Sequence, residues 1–218
     1  GGARLSAERC LEEALADAGI PREQVGRIVT TGYGRDYVEQ GDNSVTEITC
    51  HARGAHFLDP RVRTIIDIGG QDSKAIRVDE TGAVQDFAMN DKCAAGTGRF
   101  LEKTAEALGL TLAEMSTRGH DVTISSTCTV FAESEVVTLV AQNVAVADIV
   151  HGLDKAIASK TAALVGRVKP EGAYMMTGGV AHNAGVVRAL EERLGVALVV
   201  CEEAQLAGAL GAALIAWE

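Results

Sequence analysis

The chain has 218 residues, a formal net charge of −10, 47% hydrophobic residues and 23% charged residues. This composition is ordinary for a globular protein of one domain or two small lobes, and no apolar run approaches the roughly 20 residues that span a membrane. Because acidic and basic residues are interleaved rather than grouped, the charge pattern argues against nucleic acid and anionic lipid as partners.

The five cysteines are odd in number and far apart, which is unlike the dense, even framework of a secreted disulfide protein. We therefore predict a reducing, cytoplasmic environment, in which a cysteine is a buried thiol, a metal ligand or a redox group. The sequence starts Gly1-Gly2-Ala3, without methionine or an apolar signal region, so we expect a chain that begins within a longer protein.

The first 62 residues predict a helix, a strand and a second helix. Apolar spacing over residues 5–18 indicates the first helix, and residues 25–31 have the pattern of a buried strand. Ser44 and Glu47 fit a capping box for a helix that reaches residue 57, and Asp59-Pro60 ends it.

From residue 63 onward, three strand patterns precede a helical region, after which strands and helices alternate. Asp79-Glu-Thr-Gly82 predicts a hairpin turn between the second and third of these strands. The predicted strands are residues 63–68, 75–78, 84–87, 173–177 and 196–201. The predicted helices are residues 98–108, 130–142, 146–168, 181–194 and 205–217, with a short helix that Thr111 and Glu114 cap.

This order of elements matches one ribonuclease-H-like α/β repeat, so we predict the duplicated α/β fold that holds nucleotide in the cleft between two such repeats. Residues 1–62 are predicted to be the remainder of an N-terminal lobe whose first three strands are absent. Residues 63–218 are predicted to form the C-terminal lobe, with a helical insertion at residues 89–142.

The segment Asp67-Ile-Gly-Gly-Gln-Asp-Ser-Lys74 connects two strands of a predicted hairpin. Gly69 and Gly70 let backbone N–H groups approach phosphate oxygens, and the Asp67 carboxylate at a strand end can hold hydrated Mg²⁺. Gln71 is placed to orient a water molecule for attack on a terminal phosphate. A tight β-turn with solvated Asp and Lys side chains explains the same segment.

A second glycine pair follows a predicted strand, in Thr177-Gly-Gly-Val-Ala-His-Asn183. Gly178 and Gly179 permit close approach of an adenine or a ribose, and the N–H groups of the following helix favour anions. A plain strand-to-helix turn is the alternative. Gly208 is more typical of close helix packing than of ligand contact, although we include it among the candidate nucleotide contacts.

Two cysteines, Cys93 and Cys128, each precede a predicted helix, and glycines Gly96 and Gly98 follow the first of them. A thiolate at a helix N-terminus is stabilised by the helix dipole and by unpaired N–H groups. An iron–sulfur cluster normally needs four thiolates, which a symmetric dimer supplies when each chain contributes two. Two buried or redox-inactive thiols are the alternative. The remaining cysteines are interpreted as structural: Cys10, Cys50 and Cys201.

Other polar and aromatic residues receive simpler interpretations. Glu47 fits a helix-capping carboxylate better than a group that positions water in a cleft. The five histidines show no spacing typical of metal ligands. Trp217, the only tryptophan, is predicted to cover an edge of the core.

Four long motifs together closely resemble the ATP-dependent activators of 2-hydroxyacyl-CoA dehydratases, and the resemblance covers essentially the whole chain. The motifs are Asp67-Ile-Gly-Gly-Gln-Asp-Ser-Lys74, Met89-Asn-Asp-Lys-Cys-Ala-Ala-Gly-Thr-Gly-Arg-Phe100, Ser125-Ser-Thr-Cys-Thr-Val-Phe-Ala-Glu-Ser-Glu135 and Thr177-Gly-Gly-Val-Ala-His-Asn183. The same wider family contains the ATPase subunits of benzoyl-CoA reductases. It belongs to the superfamily of acetate and sugar kinases, heat-shock chaperones and actin.

The resemblance implies an ATP-hydrolysing activator that works by electron transfer. Such activators are homodimers with one [4Fe-4S] cluster per dimer, held by two cysteines from each subunit, which match Cys93 and Cys128. The cluster receives an electron from reduced ferredoxin or flavodoxin. ATP binding and hydrolysis then drive the electron at low potential to an iron–sulfur dehydratase or reductase component. The implied small ligands are ATP or ADP and Mg²⁺.

The family's phosphate and adenosine motifs can be carried over residue by residue. Asp67 and Gln71 are the implied catalytic residues. The other implied nucleotide contacts are Gly69, Gly70, Lys74, Gly178, Gly179 and Asn183. The intact phosphate motif, together with Glu47, favours an ATP-hydrolysing activator over a degenerate partner subunit. Family members also begin with a strand and a glycine–hydroxyl loop that grips phosphates, and this sequence has no counterpart of that loop before Arg4.

Three further functions fit parts of the same pattern. One is an ATPase subunit of a benzoyl-CoA reductase-type complex. Another is a small-molecule kinase of the same superfamily, which would be colourless and would release a phosphorylated product. The third is a nucleotide-gated scaffold, which would contain no iron and would bind a protein partner in one nucleotide state.

Overall fold

The computed structural model describes residues 2–124 and 129–218, which form a five-stranded sheet, a two-stranded sheet and surrounding helices. The strands are β1 (Val29–Thr30), β2 (Asn43–Ser44), β3 (Thr64–Ile68), β4 (Ser73–Val78), β5 (Val84–Asn90), β6 (Tyr174–Thr177) and β7 (Leu198–Val199). The helices are α1 (Ala3–Ala18), α2 (Glu47–Leu58), α3 (Gly98–Leu108), α4 (Thr129–Ala141), α5 (Val146–Val165), α6 (Ala184–Leu194) and α7 (Ala207–Trp217). The α/β class is as predicted.

The larger sheet has the strand order β5-β4-β3-β6-β7. Strands β3, β4 and β5 form an antiparallel meander, and β6 and β7 join it in parallel. This confirms the order of strands and helices predicted from residue 63 onward. The duplication of the unit and the absent strands stay predictions.

Strand β3 lies at the centre of the sheet because its side chains are apolar on both faces. Ile66 and Ile68 belong to a large core with α3, α5 and α6, whereas Ile65 belongs to a smaller core on the opposite face. Strands buried on both faces are typically rich in β-branched residues, which β3 supplies at every position except Asp67. The carboxyl end of this strand therefore emerges from a rigid layer.

Helix α2 covers the second face of the sheet through Ala52 and Ala55, which pack with Ile65 and Met175. The predicted boundary between residues 62 and 63 stays a prediction, but α2, from the N-terminal side of that boundary, packs directly on the sheet of the other side. The site described below therefore draws side chains from both sides.

Helix α7 packs mainly against α2. The reason is a pair of facing glycines. A Cβ at Gly54 would collide with the Ala207 carbonyl oxygen, and one at Gly211 would collide with the Cys50 carbonyl oxygen. The two helix backbones approach this closely because neither position has a side chain.

Several predicted elements are shorter in the structure. The strand predicted at residues 25–31 is reduced to β1, because its partner β2 offers only Asn43 and Ser44 for pairing. Likewise, the strand predicted at residues 196–201 pairs with β6 only through Leu198 and Val199. The helix predicted to start at residue 181 starts after Asn183, since residues 179–182 form a 3₁₀ turn.

Two predicted side-chain roles were wrong. The cap of α2 is Thr46, whose hydroxyl accepts from the Thr49 N–H at 3.3 Å. Ser44 instead donates to Asp36 at 2.6 Å. Trp217 is 91% exposed at the last turn of α7 and does not cover the core of the described chain.

Among the described residues, no helix combines the length and the apolar character needed to cross a membrane.

Candidate nucleotide site and cysteine loop

The loop between β3 and β4 is a tight turn that presents its glycines outward. The Gly69 N–H donates to the Asp72 carbonyl at 3.0 Å, which closes the turn. A Cβ at Gly69 would lie 3.1 Å from Asp72 Oδ1, so a larger residue would press on that carboxylate. Gly70 and Gln71 are exposed at the tip of the turn. We name residues 67–74 the phosphate loop.

Behind the phosphate loop, the ammonium of Lys74 is surrounded by three carboxylates. Its Nζ lies 2.7 Å from Asp72 Oδ1, 3.1 Å from Asp67 Oδ2 and 3.6 Å from Glu47 Oε1. The Lys74 side chain is 2% exposed, and that of Asp67 is 3% exposed. We name these four residues the Lys74 cluster. Lys74 and Asp67 depend on these partners, because both charges are buried away from water.

The charges of the cluster hold Lys74 protonated. Burial lowers the pKa of the Lys74 ammonium, but the charges of Asp67, Asp72 and Glu47 and the hydrogen bond to Asp72 outweigh burial, so the pKa is raised. The predicted contact between Lys74 and nucleotide stays a prediction, since the ammonium points into this cluster. Glu47 belongs to the cluster and does not cap α2, which corrects its sequence interpretation.

Asp67 is held on its other oxygen by residues from β6 and α2. The Thr177 hydroxyl donates to Asp67 Oδ1 at 3.0 Å, and His51 Nδ1 lies 3.5 Å from the same oxygen. His51 lies one helical turn after Glu47, so both side chains reach the end of β3 from one face of α2. Sequence reasoning missed both contacts: His51 belongs to none of the four motifs, and the motif that begins at Thr177 does not show which residue its hydroxyl binds.

Among the described residues, no group of three or more His, Cys, Asp or Glu side chains is arranged to hold a metal ion by itself. Mg²⁺ does not require such a group, because it usually binds proteins through one or two carboxylates and takes its other ligands from water and phosphate. The carboxylate predicted from the sequence to hold Mg²⁺ is that of Asp67, at the end of β3.

Next to the phosphate loop lies a cavity of about 500 Å³. This is within the size range of small-molecule sites. Four of its lining residues were predicted as nucleotide contacts: Gly69, Gly70, Gly179 and Asn183. Others were not predicted, because their positions depend on how distant helices pack: Leu101, Glu102, Leu112, His182 and Gln205. The cavity therefore brings the two predicted glycine loops together.

Gly178 lies where the two loops meet. Its φ of 84° and its close contacts both require glycine at this position. A Cβ at this position would collide with the Ile68 carbonyl oxygen and lie 2.9 Å from Asp67 Oδ1. Asn183 caps α6 by accepting from the N–H groups of Gly185 and Val186 at 2.9 and 3.0 Å.

Gly208 lies in α7, where a Cβ would be 2.9 Å from His51 Nε2. Its surroundings in the structure are those of a close-packing helix glycine, since its neighbour is a side chain of α2. A contact between Gly208 and nucleotide stays a prediction.

Cys93 is half-buried in the segment between β5 and α3, which we name the cysteine loop (residues 91–97). The Asn90 amide donates to the Cys93 carbonyl oxygen at 3.0 Å. Lys160, on α5, reaches the same residue, and its Nζ lies 3.8 Å from Cys93 Sγ. Cys128, the second predicted cluster ligand, lies outside the described residues.

The cysteine loop is hydrogen-bonded directly to the phosphate loop. The N–H groups of Gly98 and Arg99 donate to the carbonyl oxygens of Gly69 and Gly70, each at 2.8 Å. The Thr97 hydroxyl donates to the Gly70 carbonyl at 3.1 Å. A Cβ at Gly98 would lie 3.2 Å from the Gly69 oxygen, so glycine permits this approach.

These hydrogen bonds show that the surroundings predicted for the Cys93 sulfur were wrong. The sequence predicted that the first N–H groups of the following helix stabilise the thiolate, but α3 begins only at Gly98. A turn at Gly96, with φ of 89°, separates the cysteine from the helix. The first helix N–H groups therefore point to the phosphate loop, and the positive group beside the sulfur is Lys160.

The other cysteines differ in exposure. Cys50 is buried in α2, and burial is the main cause that raises the pKa of its thiol. Cys201 is half-buried after β7. Cys10 is exposed on α1 and is not among the core residues of the described structure, so burial does not support the structural role predicted for it.

Comparison with known proteins places this site in a family. Residues 1–216 match the family model described as "BadF/BadG/BcrA/BcrD ATPase family". The activator of lactoyl-CoA dehydratase from Anaerotignum propionicum is 49% identical over 97% of this chain and 83% of its own length. The (R)-2-hydroxyglutaryl-CoA dehydratase activating ATPase from Acidaminococcus fermentans is 46% identical over 96% of this chain and 82% of its own length.

A solved structure agrees with these matches. The activator of the 2-hydroxyisocaproyl-CoA dehydratase from Clostridium difficile, with bound ADPNP, superposes with a TM-score of 0.95 at 43% identity. The match covers 100% of this chain and 82% of that one. The resemblance predicted from the four motifs is confirmed, and the chain belongs to the BadF/BadG/BcrA/BcrD ATPase family.

Proposed function

We propose that this chain is an ATP-hydrolysing activator that passes one low-potential electron to a 2-hydroxyacyl-CoA dehydratase. One observation carries the proposal: backbone hydrogen bonds join the cysteine loop to the phosphate loop, from Gly98 to Gly69 and from Arg99 to Gly70. A protein that couples nucleotide state to a sulfur-bound redox group needs a contact of this kind.

Nucleotide binding is supported by the 500 Å³ cavity and by the ADPNP that the similar activator structure contains. In the proposal, backbone groups of Gly69 and Gly70 contact the phosphates, and Gly179 and Asn183 contact the adenosine. Asp67, which hydrogen bonds from Thr177 and Lys74 hold in place, would be the residue that holds hydrated Mg²⁺.

The half-buried thiol of Cys93 fits a ligand of an iron–sulfur cluster, because it combines a soft donor with a cationic neighbour. We propose that Cys93 and Cys128 of two subunits hold one [4Fe-4S] cluster on the dimer axis. The cluster would supply one-electron chemistry, with ferredoxin or flavodoxin as the electron donor.

The chain's own residues would provide the coupling. Movement of Gly69 and Gly70 upon loss of the terminal phosphate would be transmitted through their carbonyl oxygens to the start of α3 and to the cysteine loop before it. ATP can shift the dimer geometry only if its two nucleotide states favour different geometries. We propose that the difference arises at these two carbonyl oxygens.

The cluster is tested by purifying the protein without oxygen. We expect a brown dimer with about four iron atoms, and we expect Cys93→Ser and Cys128→Ser to lose most of that iron. Cys10→Ser, which changes an exposed thiol on α1, is the matched control and should keep the iron. Full iron content in either loop variant, or a colourless wild-type protein, would contradict the proposal and leave the kinase or scaffold functions.

Hydrolysis and its coupling to the cysteine loop are tested by Gln71→Ala. Gln71 is exposed at the tip of the phosphate loop, so we expect ATP turnover to fall by about 10²-fold or more with little loss of ATP affinity. The variant should also retain ATP long enough to compare how fast a chelator removes iron in the ATP and ADP states. Gln85→Ala, on the β4–β5 hairpin, is the control. Equal turnover of the two variants would exclude the role of Gln71, and equal chelation rates in the two states would exclude the coupling.

A further inference from the structure

The surroundings of Cys93 contain a charge that the proposed function does not explain. Lys160 extends from α5 to the cysteine loop, 67 residues away in sequence, and its Nζ lies 3.8 Å from Cys93 Sγ. The neighbours of Cys93 in sequence that bear charge, Asp91 and Lys92, are exposed. The ammonium that lies beside the sulfur therefore comes from a different element, helix α5.

Two features show that Lys160 is guided to this position. Its aliphatic stem crosses Gly96, where a Cβ would lie 3.2 Å from Lys160 Cδ. The positive φ of 89° at Gly96 turns the loop backbone toward that stem. A residue with a side chain at position 96 would be strained and would displace the lysine.

The base of Lys160 is also rigid. Its neighbours in α5, Ile157 and Thr161, are buried at 0% and 3% exposure. The Cys93 carbonyl is held independently by the Asn90 amide at the end of β5. The backbone of Cys93 and the helix that carries Lys160 are thus held by separate elements, and the two side chains meet between them.

We propose that Lys160 is a positioning residue for Cys93, and that its fixed positive charge raises the potential at which the redox group on that sulfur accepts an electron. The inference rests on the proposed function, because it requires Cys93 to hold an iron–sulfur cluster. A reduced cluster carries one more negative charge than an oxidised one, so a nearby cation stabilises the reduced form more. The electron comes from a low-potential donor of the ferredoxin or flavodoxin class, and no proton or bond is exchanged at Lys160.

The inference is tested by a reductive titration of the anaerobic dimer with titanium(III) citrate, followed by the absorbance and electron paramagnetic resonance of the cluster. We expect Lys160→Met to lower the reduced-to-oxidised ratio about tenfold at a fixed potential, which is about 59 mV for a one-electron couple. Lys160→Arg keeps the charge and should titrate like the wild type. Lys155→Met removes an exposed cation from the same helix and should also titrate like the wild type.

The outcomes separate the inference from the proposed function. A wild-type protein without iron would overturn the proposed function itself. If wild type contains the cluster but Lys160→Met and Lys155→Met titrate at the same potential, only the inference is overturned. Loss of iron from Lys160→Met, with iron retained in Lys160→Arg and with ADP still bound, would support the positioning role. If Lys160→Met does not fold, Lys160→Gln replaces it in the same comparison.

Discussion

Lys74→Met is expected to lower the free energy of unfolding by about 3–5 kcal/mol at neutral pH. The substitution keeps much of the side-chain volume but removes the charge that balances Asp67, Asp72 and Glu47. Without the ammonium, these carboxylates would repel one another beside the end of β3, which destabilises the folded state. Urea denaturation at neutral pH measures the loss.

The control for this prediction is Arg9→Met. Arg9 pairs with Glu13 on the surface of α1, and the two side chains are 81% and 62% exposed. We expect a change within about 0.5 kcal/mol, since solvent screens an exposed pair of this kind. Equal stability of the Lys74 and Arg9 variants would show that the Lys74 cluster does not depend on its cation.

Asp154→Asn is expected to raise the stability of the protein at pH 8 and to remove part of its pH dependence. Asp154 is 1% exposed on α5, and neither carboxylate oxygen has a hydrogen-bond partner among the described residues. A Cβ at Gly185 would collide with its Oδ2, so the glycine at the start of α6 makes room for this carboxyl. Burial, opposed by the charge of Arg188, raises the pKa of Asp154 to about 7.

The sign of the effect follows from that raised pKa. Below the pKa of the unfolded chain, near 3.8, Asp154 is protonated in both states and has no effect on stability. As the pH rises from there to about 7, the unfolded state loses the proton first, and stability falls until the folded state also ionises. The loss amounts to about 4 kcal/mol above pH 7.

Denaturation of the wild type and Asp154→Asn at pH 5, 6.5 and 8 tests this prediction. The stability difference should grow with pH in favour of the variant, although an unpaired amide offsets about 1–3 kcal/mol of it. Asp17→Asn changes an exposed carboxylate on α1 and serves as the control. A stability difference that stays constant from pH 5 to pH 8 would mean that Asp154 is not buried as an acid.

Helix α3 illustrates how much of this protein can be predicted from local sequence. Its bounds, Gly98–Leu108, agree with the prediction, because apolar spacing marks the helix and Gly109 ends it with a positive φ of 68°. The hairpin at residues 79–82 and the two glycine loops were predicted for the same reason. In each of them a few neighbouring residues determine the backbone conformation.

Contacts between distant segments were beyond such reasoning. The role of Glu47 was misread as a helix cap, because its partner Lys74 lies on another element and no local pattern connects them. The first N–H groups of α3 were assigned to the cysteine, since the sequence does not show that the Gly69 and Gly70 carbonyls lie closer to them. Trp217 was placed against the core on hydrophobicity alone, which does not decide whether a partner surface is near.

The order of the strands and helices, the two glycine loops and the family could be predicted from sequence, because these features depend on patterns within short segments. Three features became visible only in the folded chain: the charges around Lys74, the hydrogen bonds between the cysteine loop and the phosphate loop, and the position of Lys160 beside Cys93. A buried ion group or a backbone contact of this kind forms between segments that packing brings together. Their separation along the chain, 67 residues for Lys160 and Cys93, carries no information about that distance.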